Sequence, residues 1–62
     1  MSQQQATQLL TTRQVAEWLG VHDETVRRWV KAGVLRSVRL GGAVRFERSE
    51  VDRMIEEAKG DA

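Results

Sequence analysis

The sequence predicts a small, mainly α domain completed by one small β-hairpin. Two stretches of helical apolar period are separated only by a glycine and a short turn. After Gly33 the apolar period changes from helical to two on either side of a glycine pair, and a third helical stripe follows at once. Sixty-two residues accommodate one such domain.

Residues 1–8 are polar, glutamine-rich and without apolar period, which predicts a disordered arm ahead of a folded domain over 9–59, with residues 60–62 as a disordered tail. Thr11 and Gln14 have capping-box spacing, and they precede the stripe Val15, Ala16, Leu19, so a helix is predicted over 12–19. Gly20 supplies its left-handed end. The second helix is predicted over 23–32: His22, Asp23 and Glu24 open it, Val26, Trp29 and Val30 form its apolar face, and Gly33 closes it.

A hairpin is predicted over 37–47. Val38 and Leu40 alternate with Arg39, and Val44 and Phe46 alternate with Arg45. With Gly41-Gly42-Ala43 as the connection, residues 37–40 pair with 44–47, and Arg39 and Arg45 share the face turned away from the core. The third helix is predicted over 49–58. Ser49 and Asp52 have the spacing of a cap, and Val51, Met54, Ile55 and Ala58 line one side.

Composition removes several function classes. With no cysteine there is neither a disulfide nor a thiolate metal site, and with a single histidine no metal or cofactor is expected. No apolar run approaches the roughly 20 residues of a membrane span and the start lacks the pattern of a secretion signal, so a cytoplasmic, nucleoid-associated protein is expected. No nucleophile stands with a base and no carboxylates pair, so no enzyme is expected.

Charge is unevenly distributed. The net charge is +1, yet residues 22–48 carry seven cations (Arg27, Arg28, Lys31, Arg36, Arg39, Arg45, Arg48) against three acids, a local +4, and the rest carries three against six, or −3. That polarity is what a surface facing phosphates requires.

The spacing of Val15, Ala16, Leu19, Gly20, Val21, Val26 and Trp29 is that of two helices meeting through a tight turn: Ala16 is small where they touch and Gly20 makes the corner. Once those side chains point inward, Asp23, Glu24, Arg27, Arg28 and Lys31 are left on the outer side of the second helix. An α-helix fits the major groove, where arginine bonds guanine O6 and N7, and Arg27 and Arg28 are the candidates. The glycine-tipped hairpin brings Arg39 and Arg45, with Arg36 and Arg48 at its outer ends, as candidates for phosphates or the minor groove.

The string TTRQVAEWLGVHDETVRRWVKAGVLRSVRLGGAVRFERSEVDRMI resembles the MerR-type winged helix-turn-helix domain of the excisionase-family DNA-binding proteins, which include phage recombination directionality factors and small transcriptional regulators. The resemblance runs from Leu10 to Ile55 and is carried by the LGV turn, TVRRW, the KAGVL exit and the GG-x-x-RF wing leading into SEV. It implies double-stranded DNA as partner. The resemblance places the recognition helix around Asp23 to Lys31 and the wing around Arg39 to Arg45; with the flanking residues read above, the candidates are His22, Asp23, Glu24, Thr25, Arg27, Arg28 and Lys31 on the helix and Arg36, Arg39, Gly41, Gly42, Arg45 and Arg48 on the wing. His22 stands where that family usually has a serine or threonine cap, and no small-molecule effector is expected.

A lone recognition helix and wing bury only about 600–1,000 Å² on DNA, so cooperative self-association on neighbouring sites is expected, with an integrase or recombinase as further partner. A small transcriptional regulator and a protein-interaction adaptor remain as alternatives. Trp29 is expected in the core. Trp18 is expected to pack under the third helix or to meet another protein, Asp23 and Glu24 to stabilise the first turn of their helix, and His22 to cap it or touch phosphate.

Overall fold

The structure, a computed structural model, describes residues 9–60. The expected arm over residues 1–8 and the last two residues of the expected tail lie outside the described residues. Chain order is β1 (Leu9–Leu10), α1 (Thr12–Leu19), α2 (Asp23–Lys31), β2 (Val38–Leu40), β3 (Ala43–Glu47) and α3 (Arg48–Gly60). Three helices and a small antiparallel sheet are the fold class that the periodicities predict, a winged helix-turn-helix.

Local chemistry accounts for the bi-helical corner. The Thr11 hydroxyl accepts from the Gln14 N–H at 3.0 Å, and the Gln14 side chain accepts from the Thr11 N–H at 2.9 Å, which satisfies two donors at the start of α1 reciprocally. At the other end Gly20 takes φ 70°, and the chain turns so that the Val21 N–H reaches the Ala16 carbonyl at 2.9 Å. His22 occupies the extended N-cap position of α2 but its side chain makes no capping hydrogen bond, while Asp23 and Glu24 lie in the first turn, where the helix dipole favours them.

The core is formed by Val15 and Ala16 of α1, Val26 of α2, Leu35 of the following loop, Phe46 of β3 and Val51 of α3. Leu10, Leu19, Val21, Trp29, Val30, Val44, Met54 and Ile55 cover it. Every element therefore contributes a side chain to a single cluster except β2, which is held through its pairing with β3.

Three features differ from expectation. The sheet has three strands in the order β1-β3-β2, because Leu9 and Leu10 pair with Glu47 and Phe46. The strand β3 runs directly into α3, so Ser49 lies inside the helix rather than capping it. The helix also continues through Gly60, where the Arg53–Glu57 pair at 2.9 Å and the Glu56–Lys59 pair at 3.5 Å brace its last turns.

The hairpin register is the fourth difference and the one that bears on function. Its connection is the two-residue turn Gly41-Gly42, and Ala43 already belongs to β3, opposite Leu40. Gly41 has φ 66° and Gly42 no positive φ, the pattern of a II′ turn, whose twist suits a hairpin. A connection one residue shorter than Gly41-Gly42-Ala43 slips the pairing by one, so Val38 faces Arg45 and Arg39 faces Val44.

A candidate nucleic-acid interface

Residues directly opposite in an antiparallel pair project to the same side of the sheet. Arg39 therefore shares the side of Val44 and of buried Phe46, whereas Arg45 shares the outer side with Val38, Leu40 and Ala43. The expectation that Arg39 and Arg45 form one basic face is overturned by the two-residue turn. Arg45 is half-buried on that outer side and donates to the Val44 carbonyl at 2.8 Å.

The reversal of Arg39 brings it to α2. A cleft of about 240 Å³ opens between α2 and β2, and Arg27, Lys31, Ser37, Arg39 and Thr12 line it above Val30, Val44 and Phe46. At 3.6 residues per turn Arg27 and Lys31 fall on the flank of α2 beside the hairpin, and Arg28 stands about 100° round the helix from Arg27. All three α2 cations are exposed, as is Arg39. The ion pairs among the described residues join Arg53 to Glu50 and Glu57, and Lys59 to Glu56, all within α3, so these cations are uncommitted.

Of the other expected wing arginines, Arg48 goes elsewhere. Arg48 is the first residue of α3 and its guanidinium lies 4.9 Å from the centroid of the Trp18 ring, a cation–π contact. Trp18 is 42% exposed, so the indole is met by the start of α3 and not covered by its apolar side. Arg36 is exposed in the loop between α2 and β2, near enough to the Glu50 carboxylate to lower its pKa.

That carboxylate was not legible as a structural group in the sequence. Glu50 receives Arg53, and Arg53 also donates to the Val34 carbonyl at 3.4 Å, so the pair ties α3 to the loop that leaves α2. Hydrogen bonding from Arg53 above all, then the Arg53 charge and after it Arg36, hold the Glu50 carboxyl below the usual carboxylate range against the opposing effect of burial. Leu35, the buried residue of the same loop, is marked in the sequence only as the last residue of the KAGVL exit, with no periodicity to place it in the core.

A short helix held across a glycine corner, its outer side basic, with a β-hairpin beside it bearing another arginine, defines the class of DNA-binding helix-turn-helix domains with a wing. A family model described as a helix-turn-helix domain matches residues 9–59, and the chain belongs to that family. It is also 41% identical over 49 residues to an excisionase of Mycobacterium phage D29, an alignment that covers 77% of this chain and 88% of the phage protein. The protein is thus an excisionase-like DNA-binding protein. Among the described residues no helix is long and apolar enough to cross a membrane.

Proposed function

We propose that this protein binds specific duplex sites through α2 and the β2–β3 hairpin and acts as an architectural factor that favours excision by a site-specific integrase. The observation that carries the DNA reading is the convergence of uncommitted Arg27 and Lys31, on a helix of groove-fitting size, with Arg39 of the hairpin. The likeness to a phage excisionase supports the architectural role. The arrangement of helices and hairpin also supports assignment to the MerR type of winged domain.

On this reading α2 lies in the major groove with Arg28 and the outer residues of its first turn, Glu24 and Thr25, toward base edges. The hairpin then borders the groove, and Gly41-Gly42 allows its tip to approach the backbone closely. A module this small covers few base pairs, so several copies bind adjoining sites. Exposed Trp18 and Leu40 offer apolar surface for contact between neighbouring copies.

Selection of binding sequences from random duplexes, followed by a recombination assay with the accompanying integrase on DNA carrying those sequences, tests the proposal. Enriched motifs recurring in tandem, and excision that depends on the protein, are the expected outcome. Enriched motifs with no effect on recombination would remove the architectural role and leave a DNA-binding regulator.

A further inference from the structure

We infer that the cleft between α2 and β2 seats one backbone phosphate of the duplex, gripped by Arg27, Lys31 and Arg39 with help from Ser37 and Thr12. These residues set position, and Arg28 is left to read sequence. This division of labour rests on the DNA-binding reading above and goes beyond it.

The chemistry of the lining favours a phosphate over a base edge. Every polar side chain in the cleft is a cation or a hydroxyl, and neither carboxylate nor amide lines it. Cations and hydroxyls together match a group that only accepts hydrogen bonds, which a phosphodiester is and which the mixed donor–acceptor edge of a base pair is not. The apolar floor of Val30, Val44 and Phe46 lowers the local dielectric beneath the cations, which strengthens their pull on an anion.

Geometry points the same way. A helix in the major groove is bordered by the sugar–phosphate strands, and a cleft between that helix and its wing faces a strand and not the groove floor. Arg27 and Lys31 lean to the cleft, and Arg28, about 100° away on the helix, does not line it. Ser37, at the approach to β2, and Thr12, the first residue of α1, bring hydroxyls from two further segments. Four separate segments thus converge on one small volume. The hairpin register makes the site, since slipping β2 by one residue would send Arg39 to the opposite side.

The test is a phosphate-by-phosphate scan of a selected duplex, in which single methylphosphonates remove one backbone charge at a time, against the wild type and variants. Arg39→Ala is expected to weaken binding about eightfold at 0.1 M salt and to make the slope of log K against log[salt] shallower by about one, with base preference unchanged. At one phosphate per site, the methylphosphonate should cost the wild type a similar factor and cost Arg39→Ala clearly less, because Arg27 and Lys31 still face that phosphate. Ser37→Ala should show a smaller loss coupled to that same phosphate, and Arg28→Ala should relax base preference while keeping the phosphate effect.

Arg39→Gln, which keeps length without charge, serves if the alanine variant melts early. Losses that multiply at every phosphate, or an Arg39 variant that alters base preference and not the salt slope, would overturn the seat. A wild-type protein that enriches no duplex at all would overturn the DNA reading, and the seat with it.

Discussion

Arg28 and Trp29 are adjacent in the chain and have opposite tasks. Arg28 is exposed and uncommitted, while Trp29 packs on the core with Leu19, Met54 and Ile55 nearby. Truncating the indole should cost about 2–3 kcal/mol, less than a fully buried tryptophan, and lower the melting midpoint by about 10–20 °C. Arg28→Ala should leave that midpoint within about 3 °C and relax sequence preference in a selection experiment; a variant with unchanged preference would show that base reading lies elsewhere. Glu50 yields a pH prediction. Its folded pKa is depressed, so the stability it confers is present above the range of an ordinary carboxyl, about 4.3, and is lost as pH falls through the lower folded value. Glu50→Gln should therefore cost on the order of 1 kcal/mol at pH 7, and the gap between its melting curve and that of the wild type should close toward pH 3. A gap independent of pH would mean that the carboxylate's charge is irrelevant to holding α3.

Elements were legible in the sequence where the signal is local. The bounds of α1 follow from Thr11, Gln14 and Gly20, because a capping box and a left-handed end are chemistry within a few residues. The hairpin was legible as an element but not in register: Gly41-Gly42-Ala43 can be spanned as a two- or three-residue connection, and Phe46 faces the core with either, so the pattern of β3 alone does not choose between them. The strand β1 was illegible, since two leucines carry no alternation and become a strand only by pairing with β3. The same limit hid Glu50, whose partner Arg53 reaches the Val34 carbonyl of the loop only once α3 is docked. The turn itself can be tested. A Cβ at either glycine meets nothing within 4 Å, so only backbone conformation separates them. Gly41→Ala, at φ 66°, should cost about 1–2 kcal/mol and weaken DNA binding through loss of the Arg39 position, while Gly42→Ala should be near neutral. Equal effects at both would rule out a turn with positive φ at its first residue alone.

Across the whole molecule, cations from α2 and β2 meet at one place. Arg27, Lys31 and Arg39 gather at the cleft, whereas Glu50, Glu56 and Glu57 of α3 are paired with Arg53 and Lys59 of the same helix. Two expected wing cations are withdrawn from this face, Arg45 by register and Arg48 by its contact with Trp18, so fewer arginines are available to phosphates than the local +4 of residues 22–48 implies. About four to six phosphate contacts remain a reasonable load for α2, the hairpin and the α1 start, which gives log K against log[salt] a slope of about −4 to −5. Affinity should then fall about 250- to 1,000-fold between 50 and 200 mM salt, measured on one selected duplex at constant pH. Arg45→Ala should leave that slope unchanged, and Arg39→Ala should not. A salt response near zero in the wild type would mean that the basic face meets something other than phosphates, and a partner protein would replace DNA as the ligand of this fold.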